Sequence, residues 1–215
     1  MLPASPLFRG LPPDAADQLS AAGFLRRKIF SRHEVIFRAG SRVQEIGVVV
    51  KGSVHIENLD LWGTKSILSS VDAGQAFAET YAFCGDTLMV DAVAAEDCEV
   101  LFLHTGALSD SRVPAGVRGT LLHNLLTVSM RKNLSLSQRI FCTTPKTVRG
   151  RLLTYFSAQA AKADSPEFEI PFNRQQMADY LNLDRSALSK ELGRMRDEGL
   201  LEFEKNHFIL KQLPE

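Results

Sequence analysis

NRQQMADYLNLDRSALSKELGRM, residues 173–195, decides the architecture of this chain. Asn173 has the side chain of a helix N-cap, and the helix it opens leaves Arg174 and Gln175 outward while Met177, Ala178 and Leu181 turn inward. Asn182 is a residue type that tolerates the left-handed backbone of an abrupt helix stop. Leu183 then plugs the corner, and Asp184 caps a second helix at once. So short a turn forces two helices to cross steeply, which requires a small residue at their contact, and Ala178 supplies it. On the second helix Leu188, Leu192 and Met195 form an inward stripe, leaving Arg185, Ser186, Ser189, Lys190 and Arg194 outward.

That outward set suits the major groove of double-stranded DNA. A helix entering the groove reads base edges with residues near its N-terminus and anchors on phosphates with those around them. Arg185 and Lys190 fit guanine O6 and N7, and Ser186 and Ser189 fit a base or a phosphate. Asn173, Arg174 and Gln175 would meet backbone oxygens at the start of the first helix. Downstream, LLEFEKNHFILK (200–211) reads as a hairpin turning at Lys205-Asn206, the wing of a winged helix-turn-helix. Upstream, Val148–Ala161 reads as a helix after the breaker Pro145, and FEI (168–170) as a short strand.

Further towards the N-terminus the pattern changes period. From Arg26 to Leu103, short apolar runs such as EIGVVVKGSVHIENL (45–59), KSILSSV (65–71) and EVLFL (99–103) are separated by Gly40, Gly63 and Gly74. They predict an all-β barrel or roll, with a short helix in Pro13–Gly23 beside it. Between roll and winged domain, Pro114–Phe141 has no Gly or Pro after Gly119, and its apolar residues recur at three- and four-residue steps: one helix of about seven turns. One flank lies on the roll, and Leu121, Leu125 and Val128 are read as a remaining seam for a second copy, giving a homodimer. The expected fold is α+β, with a β-roll of the double-stranded β-helix or jelly-roll type (1–113), a long dimerisation helix and hinge (114–144) and a winged helix-turn-helix (145–215).

Totals narrow the choices further. The 215 residues are 45% apolar, enough for packed cores, and no stretch approaches the roughly 20 apolar residues of a membrane span. The N-terminal MLPASPLFRG lacks the order of a signal peptide, so a cytoplasmic protein without a membrane partner is expected. Formal net charge is zero, and from Pro145 onward acids match bases, so the DNA reading rests on geometry and not on overall field. Cys84, Cys98 and Cys142 form no CxxC pair, and no metal site is expected.

With those segments in view, the chain resembles the CRP/FNR superfamily of transcription regulators over essentially its whole length. The resemblance is carried by VVVKGSVHI with Gly52, the turn at Gly63, GQAFAETYAF (74–83), the long helix, VRGRLLTYF (148–156) and the helix-turn-helix. It implies a cyclic-nucleotide-binding-type roll, a parallel dimer on a palindromic operator with half-sites about one DNA turn apart, and RNA polymerase as a further partner. By the same resemblance Arg185 and Ser189 stand where members place reading residues and Lys190 replaces an arginine. Ser186 replaces a base-reading glutamate, so an operator of its own is expected.

The resemblance also locates an effector pocket, lined by Phe77, Ala78, Glu79, Met89, Val90, Met130, Leu136 and Ser137. Nucleotide-binding members use a Gly-Glu pair and then an arginine for the phosphate; here the positions read Ala78-Glu79, then Met89 and Val90. Between Ser66 and Ser111 there is no Lys or Arg at all. A buried phosphate needs a compensating cation or a dense array of amides, so cyclic AMP is not the expected effector. Phe77, Phe83, Met89, Val90, Met130 and Leu136 either line an apolar cavity or fill it.

The effector and cofactor are unknown. Haem-containing, gas-sensing members (NO or CO) make haem the alternative, and of the scattered His33, His55, His104 and His123, His55 and His123 are its candidate ligands. An iron-sulfur cluster is not expected, because members of that type carry an N-terminal cysteine cluster and no cysteine precedes Cys84. Two other classes fare worse. An enzyme on a cupin-like roll needs closely spaced ligands such as His-x-His, and no such pattern, catalytic pair or phosphate-cradling loop occurs. A non-DNA-binding interaction module is opposed by the winged helix.

Overall fold

A computed structural model of the chain describes residues 1–59 and 65–211. It forms two compact units, Met1–Arg131 and Lys132–Glu215. In the first unit come α1 (Ala15–Ala21), β1 (Leu25–Phe30), β2 (Val35–Phe37), β3 (Glu45–Lys51), β4 (Ser53–Leu59), β5 (Lys65–Asp72), β6 (Ala76–Phe77), α2 (Glu79–Cys84), β7 (Asp91–Ala94), β8 (Cys98–His104) and the first part of α3 (Ala115–Thr143). The strands make two antiparallel four-stranded sheets, ordered β1-β8-β3-β6 and β2-β7-β4-β5. This is the β-roll expected; the turn at Gly63 lies outside the described residues.

Why β3 and β8 read as unbroken apolar runs is explained by what covers their two faces. Along β8, Val100 and Phe102 point into a core shared with Phe30, Phe37, Val54 and Phe77, while Leu101 and Leu103 join Leu7, Leu19, Val117 and Leu121 on the other side. A strand buried on both sides needs apolar residues at every position, not at alternate ones. Gly47 sits in β3 opposite Phe77 and Phe102, where a Cβ would come within 2.3 Å of the Phe77 ring. Gly47→Ala should therefore destabilise the roll by about 1–3 kcal/mol through overpacking, measurable as an earlier thermal transition of the first unit.

The long helix corrects one expectation. Leu121 and Leu125 are 0% and 5% exposed, buried on the roll, whereas Leu122 and Leu126 are 47% and 57% exposed. Asn124 sets this rotation: its buried amide donates to the carbonyls of Leu7 (3.0 Å) and Arg9 (2.8 Å), pinning that face of α3 to the N-terminal segment. Of the seam read from Leu121, Leu125 and Val128, the two leucines are thus taken up against the roll, while Val128 is half-buried. A helix with apolar residues nearly all round offers several rows of the same spacing, and only the distant carbonyls choose among them.

The second unit holds the rest of α3, then α4 (Val148–Ala163), β9 (Glu167–Glu169), α5 (Arg174–Leu181), α6 (Arg185–Asp197), β10 (Leu201–Glu204) and β11 (His207–Leu210). β9, β10 and β11 form one antiparallel sheet in the order β10-β11-β9. Its core is aromatic: Phe156 lies 4.6 Å from Phe208 between ring centroids, with Tyr155, Phe168 and Phe172 around them. The division between units falls within α3, between Arg131 and Lys132. No helix among the described residues is long and apolar enough to cross a membrane.

Candidate nucleic-acid interface

Each end of the α5–α6 pair is held by its own residues. Asn173 caps α5 in a reciprocal box, accepting from the Gln176 amide at 2.9 Å while the Gln176 side chain accepts from the Asn173 amide at 2.9 Å. Asn182 ends α5 in the left-handed conformation (φ 53°), and the Asp184 carboxylate accepts the amides of Ser186 (2.8 Å) and Ala187 (2.9 Å) to begin α6. Met177, Ala178, Leu181, Leu188, Leu192 and Met195 are all completely buried, Ala178 among them as the small residue at the crossing.

Arg185, Ser186, Ser189, Lys190 and Arg194 are all exposed on α6. The acidic residues of the same helix region are tied down elsewhere. Arg149 of α4 donates to Glu191 at 2.6 Å and to both oxygens of Glu198 at 2.7 and 2.8 Å, and Glu191 also receives Arg194 at 3.5 Å. Arg185 and Lys190 have no ion-pair partner among the described residues. The outward face consequently presents two unpaired cations on the N-terminal half of α6. Ser186 gives its hydroxyl proton to Asp184, which leaves its oxygen facing outward as an acceptor.

One residue at the start of α5 differs from expectation. Arg174 is not free: its guanidinium lies over the Phe203 and Phe208 rings at 4.9 and 5.1 Å, and burial pushes its pKa down. That stacking across to the wing is long-range and leaves no trace in local sequence pattern. Gln175 is exposed but donates to Asp179 at 2.9 Å. Beside them, Ile170, Pro171, Phe172, Asn173, Arg174, Lys205 and Asn206 line a cleft of about 420 Å³ between the start of α5 and the wing turn, which brings Lys205 alongside Asn173 and Arg174.

The cap on α6 carries a pH signature. Bonds from the Ser186 hydroxyl and the Ala187 and Ser186 amides hold the Asp184 carboxyl below the usual carboxylate range, and Arg149 does the same for Glu198. A depressed folded pKa stabilises the fold above the unfolded value, near 3.9–4.3, and that contribution is lost as pH falls through the folded values. Acid titration followed by circular dichroism should lose helix below about pH 4, and Asp184→Asn, a cap that does not titrate, should make that limb shallower.

The residues expected to line the pocket take individual places. Phe77 is buried in the aromatic core, 5.8 Å from Phe37, and Glu79 is buried at the start of α2, whereas Met89 is 77% and Leu136 60% exposed. Ala78 takes the left-handed conformation (φ 61°) that caps α2, Val90 is half-buried, and Met130 and Ser137 are exposed on α3. Met89 and Val90 lie in a bend between α2 and β7, where apolar character alone gives no guide to burial. What does form is an apolar cleft of about 250 Å³ between α2 and α3, lined by Glu79, Thr80, Phe83, Cys84, Leu122, Leu125, Leu126 and Ser129. Of the expected pocket and cavity residues it takes Glu79 and Phe83.

The histidines are placed individually. His55 lies 3.8 Å from Glu57, His104 accepts the Gly106 amide at 3.0 Å, and His33 and His123 are exposed. Among the described residues no group of three or more His, Cys, Asp or Glu is placed to hold a metal ion.

A filled β-roll followed by a capped helix-turn-helix and a three-stranded wing defines a two-part regulator, a β-roll module followed in the chain by a DNA-binding one. The comparisons agree with both parts: residues 27–110 match the cyclic nucleotide-binding domain family and residues 150–215 the Crp-like helix-turn-helix domain. The chain belongs to the CRP/FNR superfamily of transcription regulators. It is 25% identical over 199 residues to the cyclic AMP receptor protein of Thermus thermophilus, covering 92% of this chain and 88% of that one. Among solved structures, the catabolite activator protein of Thermus thermophilus shares the fold at TM-score 0.51 and 24% identity, covering 96% of this chain and 94% of that one. OCPA-complexed CprK does so at TM-score 0.64 and 13% identity, covering 94% and 92%.

Proposed function

We propose that the protein is a homodimeric, sequence-specific regulator that binds a palindromic operator through α6 and is controlled by a signal other than a cyclic nucleotide. The observation that carries the DNA reading is the sorting of charge on α6: Glu191 and Glu198 are balanced by Arg149 and Arg194 together, while Arg185 and Lys190 stand exposed and unpaired among the described residues. Two such helices, one per protomer, would enter successive major grooves about one DNA turn apart. Asn173, Gln175 and Lys205 would meet phosphates at the flanks, and Ser189 and Arg194 would extend the reading face.

For the dimer, the exposed row on α3 supplies the seam. Leu122, Leu126, Ser129, Asn133, Leu136 and Ile140 follow alternating four- and three-residue steps, and the four apolar members are 47–66% exposed. This is a heptad pattern, and a polar Asn133 at a core position of such a seam fixes register at some cost in stability. Concentration-dependent sedimentation should give a dimer, and Leu126→Glu a monomer.

Against a cyclic nucleotide stands the chemistry of the roll. The segment from Ser66 to Ser111 carries no cation, Met89 projects into solvent, and the α2–α3 cleft is almost wholly apolar. A backbone bridge to Thr87 brings Arg42 alongside this segment, but its side chain is exposed. An apolar effector in that cleft, which shares Leu122, Leu126 and Ser129 with the seam and so would lie at the edge of the dimer contact, suits these walls better than a phosphodiester. The regulator reading is tested by selecting binding sites from random duplex DNA with the purified dimer. A palindromic consensus supports it, and failure to enrich any sequence at or below physiological salt would sink it.

A further inference from the structure

The last carbonyls of a helix have no intrahelical donor and carry the negative end of its dipole. At the end of α5, Ala178 and Asp179 are served by the backbone of the turn, through the amides of Leu183 (2.9 Å) and Asn182 (3.3 Å). The next three carbonyls are served by arginines from outside the helix-turn-helix. Arg139, on the C-terminal part of α3, donates to Tyr180 at 3.1 Å and again to Asp179 at 3.1 Å, with its guanidinium 5.9 Å from the Tyr180 ring. Arg151, on α4, donates to Leu181 at 3.1 Å and Asn182 at 2.7 Å, and its Nε donates to Pro145 at 2.8 Å in the joint between α3 and α4.

Two guanidiniums therefore cover four consecutive carbonyls, residues 179–182, and reach back to α3 and to the α3–α4 joint. The turn that separates α5 from α6 begins at the last of these carbonyls, and α6 starts three residues later. We propose that Arg139 and Arg151 are positioning residues that fix the turn of the helix-turn-helix to the end of the long helix, so that the orientation of α6 follows α3. Arg139 is the direct link, since it alone of the two sits on α3. Neither belongs to the exposed face of α6, and the inference rests on that face being the DNA-reading surface. A guanidinium is suited to this place because its several fixed N–H donors span adjacent carbonyls, which a lysine meets only one at a time.

The test uses the full-length chain with Arg139→Gln, Arg139→Lys and Arg151→Gln. Three readouts are taken: affinity for the selected operator across a salt series, melting temperature, and amide hydrogen exchange over residues 182–188. Arg139→Gln is expected to weaken operator binding about 5- to 20-fold, with an unchanged slope of log affinity on log salt, an unchanged melting temperature and faster exchange at the turn. Arg139→Lys should recover part of the loss.

Unchanged affinity in Arg139→Gln overturns the proposal, and so does a salt slope reduced by about one, which would make Arg139 a phosphate contact instead. A loss of affinity explained entirely by a lower melting temperature also overturns it. Should the wild-type chain bind no DNA sequence, the DNA reading fails by itself. Exchange then decides the clamp: faster exchange in Arg139→Gln and Arg151→Gln upholds it, and unaltered exchange overturns it.

Discussion

Arg185→Ala is expected to weaken operator binding by about 1–3 kcal/mol, roughly 5- to 150-fold, and to relax the preference at one base pair of each half-site. Arg185 opens α6, is exposed, and has no ion-pair partner among the described residues, so its removal leaves no buried group unsatisfied. Melting temperature should stay where it is. In a symmetric dimer the substitution strikes both half-sites, so the upper part of the range applies. The check is a titration against the selected operator and against operators altered at one base pair at a time. A uniform loss at every altered site would mark Arg185 as a phosphate contact, and an unchanged affinity would mean that α6 docks with a different face.

Phe208→Ala should have the largest effect on stability. The ring is completely buried and meets Phe156 at 4.6 Å, Phe203 at 5.8 Å and Phe168 at 6.2 Å, with the Arg174 guanidinium over it at 5.1 Å. Removing it empties the junction of α4 and the wing, a loss of about 3–5 kcal/mol. For a unit of this size that lowers the melting temperature by roughly 15–30 °C. Calorimetry should show the transition of the second unit displaced while that of the roll stays in place. A single transition moving as a whole would mean that the two units unfold cooperatively.

What the sequence disclosed and what it withheld follow one physical line. Asn173, Asn182, Asp184 and the Leu188–Leu192–Met195 stripe were legible because capping, a left-handed stop and helical period act within a few residues of one another. The roll was legible from glycine-separated apolar runs, and Gly52 shows why that residue is needed: its φ is +79° and a Cβ would meet the Asp97 carbonyl at 2.7 Å. The rotation of α3 was not legible, since it depends on Asn124 bonding to Leu7 and Arg9 more than a hundred residues away. Nor was the engagement of Arg174 by the wing, or the service of α5 by Arg139 and Arg151, which pair side chains with backbone across the fold. The individual placements of Phe77 and Met89 were hidden for a related reason. Phe77 went to fill the roll and Met89 to solvent, an outcome set by volume inside the sheets and not by residue type.

Charge gave no help in finding the interface, because the chain is neutral overall and its acids are distributed among its bases. It became informative only when the structure showed which pairs are closed. Arg149 and Arg194 together balance Glu191 and Glu198, leaving Arg185 and Lys190 as the uncompensated charges where a groove would lie.

Whether two copies of α6 read one DNA duplex is decided by hydroxyl-radical footprinting on the selected operator. Two symmetric protected tracts centred about one helical turn apart, roughly 34 Å, are expected, with the protection abolished by Arg185→Ala combined with Lys190→Ala. A single unsymmetric tract, or protection that survives loss of both cations, would contradict that reading.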